Sequence, residues 1–115
     1  MVKLESLKKS NQFKKALKEK KVHTNYFSIF AAKNFYRPKY KNNLLISFVM
    51  KKKIGNAVKR NKIRRKLKAI VQKLLKKRGA ISKDYTYIVF GKSNAYEEKQ
   101  SILMPAMINC FNKIK

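Results

Sequence analysis

The stretch from Asn56 to Lys76 most narrows what this chain can fold into. On a wheel advancing by about 100° per residue, Ile63, Leu67, Ile70, Val71 and Leu74 fall on one side, and Asn61, Arg65, Lys68, Gln72 and Lys76 gather opposite them. A helix of that kind must bury its apolar stripe against a second layer and leave the other face to water or a partner. Lys77 and Arg78 followed by Gly79 supply basic residues and a stop at its end.

With 115 residues, the chain has room for one compact domain, residues 1–115, built on one moderate core. Its 31 Lys and Arg face only 5 Asp and Glu, a formal net charge of +26. Such a surface repels itself unless something negative shares it. Nucleic acid is the favoured polyanion, because phosphate contacts release condensed counterions; an anionic membrane and a merely solubilising surface are the competing readings. A disordered basic tail is excluded by the 44% of residues in the hydrophobic set, with seven Phe and six Tyr. Only five of the basic residues are Arg, so the charge is mostly point-like lysine, suited to positioning phosphates more than to reading bases.

Cys110 has no partner for an internal disulfide and reads as a core thiol in a reducing compartment. The opening MVKLESLKKSNQFKK carries no apolar signal segment, and the longest apolar run, LLISFVM at 44–50, is too short to span a bilayer, so the expected location is the cytoplasm. One His and few carboxylates offer no ligand cluster for structural zinc.

A first helix is expected after Ser10, with Phe13, Ala16 and Leu17 at helical spacing and with Leu4 and Leu7 sealing its edge. The next segment turns aromatic and β-prone, predicting a strand near 26–32 with Phe27, Ile29 and Ala31 on one face and Tyr26, Ser28 and Phe30 on the other. Residues 33–43 read as a loop around Pro38, where Tyr36 and Tyr40 suit either base stacking or cover for the sheet edge. A second strand is expected at about 44–50. The third, DYTYIVFG at 84–91, places Tyr85, Tyr87 and Val89 opposite Thr86, Ile88 and Phe90. A strand-helix-strand crossover through 56–78 follows. Ile102/Leu103, Ala106/Met107 and Cys110/Phe111, repeating every four residues, predict a docked final helix that either kinks at Pro105 or starts there.

At the entrance to the basic helix, Gly55 and Asn56 stand where backbone N–H groups can meet a phosphate, and Lys51, Lys52 and Lys53 approach the same junction. Asn61 interrupts the charge on the face of Arg65 and Lys68 with an amide able to contact base or phosphate. His23, alone at a strand edge, reads as a surface or packing residue, and Asp84 as a turn residue.

The stretch KKIGNAVKRNKIRRKL closely resembles the signature of the bacterial ribonuclease P protein component, and LKKSNQFKKAL and DYTYIVF fit the same family across essentially the whole chain. The resemblance implies an α+β fold, a single-domain α-β sandwich ordered helix, three strands, helix, strand, helix, with a left-handed β-α-β crossover. It therefore implies four strands where the residues give three, the fourth placed either within 44–53 or in the 33–43 loop. It implies catalytic RNA and precursor tRNA as partners and no membrane. The RNA-binding residues it implies are Lys52, Lys53, Asn56, Arg60, Asn61, Lys62, Arg64, Arg65 and Lys68, and those meeting the single-stranded 5′ leader are Phe13, Lys14, Leu17 and Phe30. Lys62 stands where the family usually has Arg, Leu17 where a second aromatic is common, and Phe30 where Tyr can stand. The implied activity is endonucleolytic hydrolysis of one precursor phosphodiester. The resemblance further implies Mg²⁺ held mainly by the RNA subunit and a protein with neither catalytic nor metal-ligating residues. The scattered His23, Asp84, Glu5, Glu19, Glu97 and Glu98 form no two-metal pattern. Without the signature, a ribosomal or other structural RNA-binding protein would fit the same charge; a DNA-reading helix and a protein-only nuclease fit less well.

Overall fold

The apolar stripe forms one side of a single helix, and the rest of the chain supplies the surface it needs. A computed structural model describes residues 4–7, 10–33, 43–77 and 79–114. In chain order the elements are β1 (Leu4–Glu5), α1 (Ser10–Ala16), β2 (Lys20–His23), β3 (Phe27–Lys33), β4 (Leu44–Val49), α2 (Ala57–Leu75), β5 (Tyr85–Gly91) and α3 (Gln100–Ile114), with 3-10 turns at Lys52–Ile54 and Ser93–Ala95. The five strands form one sheet in the order β1-β4-β5-β3-β2. β1 and β5 run parallel to β4, while β3 runs antiparallel to β5 and to β2. β4, α2 and β5 thus form the expected crossover between parallel strands.

Alternation along the strands gives the sheet two different faces. Phe27, Ile29 and Ala31, Leu44 and Ile46, and Tyr85, Tyr87 and Val89 join the α2 stripe and Leu103, Met107, Cys110, Phe111 and Ile114 of α3 in one continuous core. All five residues of the α2 stripe are buried in it. On the opposite face Leu45 and Ile88 pack with Leu7 and with Ala16 of α1 in a smaller cluster, and Phe13, Phe30, Val49 and Phe90 lean on it only partly buried. The long helices therefore cover one face completely, whereas seven-residue α1 covers part of the other. Burial raises the pKa of the Cys110 thiol above its ordinary value, as befits the core role expected of it.

One close approach fixes how α2 sits. A Cβ added to Gly91, at the end of β5, would overlap Met50 Sδ and lie 2.9 Å from Ile63 Cγ2. Glycine at this point lets the strand end, the exit of β4 and the first buried residue of α2 come together.

The described residues correct several expectations. The additional strands are β1 and β2, not a split of 44–53. β2 is the edge sequence KKVH, mostly exposed, so it lacks the apolar alternation that would announce it. Leu4 lies in β1 and packs on the main core instead of sealing α1, whereas Leu7 does pack with Ala16. Tyr26 precedes the strand and packs on the main core, not with Phe30. Thr24 Oγ1 accepts from the Tyr26 and Phe27 N–H groups at 3.1 and 3.0 Å, and this turn breaks the alternation before β3 begins. Of the expected 33–43 loop, residues 34–42, with Tyr36 and Tyr40, lie outside the described residues. α3 begins at Gln100 and runs across the exposed Pro105, so a start at the proline is ruled out.

Leu67 has no exposed surface. Leu67→Ala should destabilise the domain by about 2 to 5 kcal/mol, through lost transfer energy and the cavity it leaves. Chemical denaturation with an unchanged m-value would check this; a loss under about 1 kcal/mol would place Leu67 outside a packed core.

Candidate nucleic-acid interface

The chain leaves β4 through Lys51, makes the Lys52–Ile54 turn, and enters α2 through Gly55 and Asn56. Gly55 adopts φ 152°, a region that L side chains rarely take, so the turn demands glycine here. Asn56 is extended, and its side-chain oxygen accepts the Lys59 N–H at 2.9 Å. It is an N-cap that satisfies one orphan donor of the helix. Asn56, which the resemblance places among the RNA-binding residues, thus has a structural task as the helix cap.

None of the nine residues expected to bind RNA is buried. Lys52, Lys53, Asn56, Asn61, Lys62, Arg65 and Lys68 are exposed, and Arg60 and Arg64 are half-buried. Asn61 Oδ1 accepts from Arg64 Nη1 at 2.8 Å, one helical turn along, which holds that guanidinium in place. Arg60 Nε is buried with no hydrogen-bond partner among the described residues. Lys62 Nζ lies 4.7 Å and Lys59 Nζ 5.2 Å from the centre of the Tyr96 ring, and Lys59 also donates to Ser93 Oγ at 2.9 Å. The sequence reading missed Tyr96 and Lys59, because nothing local links Tyr96 to α2.

Lys66 differs from its neighbours. Its ammonium donates to the carbonyls of Ala95, Tyr96 and Glu98 at 3.3, 2.5 and 3.0 Å and so pins the segment that carries Tyr96. Burial, and then the nearby Lys62 charge, lower its pKa below the ordinary lysine value, with Glu98 and Glu97 opposing.

The second surface lies on the half-covered face of the sheet. A cleft of about 650 Å³ runs between Leu17, at the end of α1, and the Lys51–Ile54 turn. Its floor holds Ser28, Phe30, Phe90 and His23, and its rim Lys51, Lys53, Lys92 and Ser93. Strand register builds the floor: His23 pairs with Ser28, which pairs with Phe90, and Phe30 stands two residues along β3. The Phe30 and Phe90 rings meet edge to face at 5.3 Å, and Lys51 Nζ sits 5.6 Å from the Phe90 ring centre. Of the residues expected to meet a single strand, Leu17 (40% exposed) and Phe30 line this cleft together. Phe13 leans on the small cluster beneath α1, and Lys14 is exposed on α1 but does not line the cleft.

The two surfaces are neighbours. Lys51 and Lys53 line the cleft, Asn56 caps α2 three residues later, and Ser93 both lines the cleft and holds Lys59. Aromatic floor, lysine rim and basic helix suit a single-stranded polyanion beside a larger phosphate-bearing surface. Among the described residues no three His, Cys, Asp or Glu side chains gather where they could hold a metal ion.

Fold and surface together define a small α+β RNA-binding protein whose basic helix adjoins an aromatic cleft. The profile of the Ribonuclease P family matches residues 1–115, and the chain belongs to that family. It is 28% identical over 109 residues to the Ribonuclease P protein component of Mycoplasma capricolum, covering 95% of this chain and 94% of that one. With the counterpart from Mycoplasma mycoides it shares 29% over 109 residues, at the same coverage. The fold is similar to that of the RNase P protein from Thermotoga maritima, with TM-score 0.75 and 22% identity over 96% of this chain and 98% of that one. The RNase P protein of Staphylococcus aureus gives TM-score 0.72 and 22% identity over 96% and 94%.

Two basic residues one position apart should behave oppositely. Arg65→Ala should leave thermal unfolding unchanged, weaken RNA binding and lower the slope of log affinity against log salt by about one. Lys66→Met should cost about 1 to 3 kcal/mol of stability by leaving three carbonyls without their donor. Melts and binding isotherms at several salt concentrations check both.

Proposed function

We propose that this protein is the protein subunit of ribonuclease P, acting in the cytoplasm with a catalytic RNA to remove the 5′ leader of precursor tRNA and generate the mature 5′ end. The observation that carries the reading is the continuity of the aromatic cleft with the basic helix through Lys51–Asn56. The signature face (Lys52, Lys53, Asn56, Arg60, Asn61, Lys62, Arg64, Arg65 and Lys68) meets the RNA subunit. The cleft of Leu17 and Phe30, with Phe13 and Lys14 on the adjoining helix, receives the leader.

Hydrolysis of a phosphodiester in this enzyme uses Mg²⁺. In this reading the ion is held by the RNA subunit. What the chain contributes is electrostatic and positional. Lys51 and Lys53 at the rim neutralise leader phosphates, Phe30 and Phe90 offer ring surfaces to unpaired bases, and the helix lowers the repulsion between two RNAs. Lys62, a point charge, serves this purpose by proximity without a bidentate fork.

Cleavage of precursor tRNA in Mg²⁺ by RNA-free protein, by catalytic RNA alone and by both together tests the division of labour. The protein alone should be inactive and should raise the activity of the RNA. Site-specific cleavage by RNA-free protein would overturn the reading, and so would a failure to improve the RNA reaction. For the cleft, Phe30→Leu keeps apolar bulk but removes the ring. It should weaken precursor binding by about 1 to 3 kcal/mol if a base stacks there, and leave mature tRNA binding nearly unchanged. Equal losses for precursor and product at matched salt would refute a leader site.

A further inference from the structure

The cleft floor is apolar except for one pair of side chains. His23 Nδ1 lies 2.6 Å from Ser28 Oγ, across the β2–β3 pairing. Ser28 is buried at 5% exposure, whereas His23 is exposed. The His23 ring stands nearly perpendicular to Phe30, at 84° with centroids 5.9 Å apart. Phe90 closes on Phe30 at 81°. A polar ring therefore borders the aromatic surface on which an unpaired base would rest.

The hydrogen-bond requirements of Ser28 settle which atom His23 offers. A buried hydroxyl proton without an acceptor is costly, and among the described residues Ser28 Oγ bonds only His23 Nδ1. The arrangement that leaves no buried proton unpaired has the serine donating to Nδ1. The imidazole proton then sits on Nε2, across the ring from the serine and without a hydrogen-bond partner among the described residues. Lys51 and Lys53 of the rim are exposed and can offer charge to phosphates, whereas Lys92 is tied to Thr24 O. His23 adds a single directional donor at the level of the floor.

We infer that His23, positioned by Ser28, reads one leader nucleotide by donating from Nε2 to O4 of U or O6 of G, the keto oxygens that C and A replace with amino groups. The cleft thereby prefers U or G to C or A at that position. A keto group accepts such a bond, while the exocyclic amino group of C or A puts a donor in its place. The inference rests on the leader occupying this cleft, as proposed above. His23 is a specificity-determining residue here, with no part in the bond-breaking step.

The test measures binding of precursor tRNAs to the holoenzyme, with U exchanged for C and G for A at each unpaired leader position in turn. Wild type should favour the keto base at one position by about 2- to 10-fold, the range expected of one hydrogen bond. His23→Ala should erase that preference while leaving affinity for amino-base leaders close to wild type. Ser28→Ala, which releases the tautomer, should reduce the preference without erasing leader binding. A wild-type holoenzyme with no keto preference at any position would overturn the inference, as would a preference that survives His23→Ala. A uniform loss on His23→Ala across all four bases would also overturn it, by making the residue a phosphate or shape contact. Phe30→Leu separates the two levels. If it lowers precursor affinity selectively while His23→Ala changes no preference, the leader site stands and the base-reading role falls. If neither variant distinguishes precursor from mature tRNA, the leader site itself falls.

Discussion

Everything in this molecule depends on seating one two-faced helix. α2 is 19 residues long and buries Ile63, Leu67, Ile70, Val71 and Leu74. Burying that stripe opposes the cost of gathering so many like charges in one segment. The gain is hydrophobic and short-ranged, whereas the repulsion is between exposed ammonium groups screened by salt. Seating the stripe requires that the end of β5 come close to α2, which Gly91 permits. Once the stripe is seated, geometry alone sends Arg65, Lys68 and Asn61 outward. The exposed basic face is thus a consequence of core packing, and nothing further is needed to orient it.

The second surface arises from an imbalance between the two faces of the sheet. α2 and α3 cover one face, and α1, seven residues long, covers part of the other. Strand residues on that face remain apolar because alternation puts Phe30, Ile88 and Phe90 there, yet the cover ends at Leu17. A short helix over an aromatic face leaves a cleft by construction. The Lys51–Ile54 turn closes its far side and also delivers the chain into α2, so cleft and helix share one junction.

Much of this was legible in the sequence wherever the pattern was periodic. The stripe of α2, the inward faces of β3 (Phe27, Ile29, Ala31) and β5 (Tyr85, Tyr87, Val89), and Leu103, Met107, Cys110 and Phe111 of α3 follow from spacing and lie in the core as expected, whereas Ile102, also in the expected set of α3, is exposed. Legibility failed where charge or a turn masked the period. β2 is not announced as a strand of its own because an edge strand has few apolar demands, and without it the His23–Ser28 pairing is not visible in the sequence. Tyr26 was assigned to the wrong face because the Thr24 turn resets the alternation one residue before β3. Tyr96 meets Lys59 and Lys62 only through the docking of the segment before α3, a contact between distant parts of the chain that no local pattern encodes.

The excess of lysine over acid also has a structural side that composition conceals. With five carboxylates for 31 cations, most ammonium groups have no ion-pair partner available, and several turn to backbone carbonyls instead. Lys20 donates to Ile114 O at 2.8 Å, at the negative end of the α3 dipole, and to Tyr85 Oη at 3.0 Å. Lys92 donates to Thr24 O at 2.6 Å, tying the exit of β5 to the β2–β3 turn. Lys66 takes three carbonyls before α3. These lysines act as local staples, and a phosphate approaching them would compete with bonds already made. Those on the outward face of α2 and at the turn before it are exposed, and it is there that self-repulsion remains unrelieved in the free protein. Binding RNA on that face would remove the repulsion and so stabilise the fold through linkage. An exposed basic face of this kind is one that association with a polyanion would relieve.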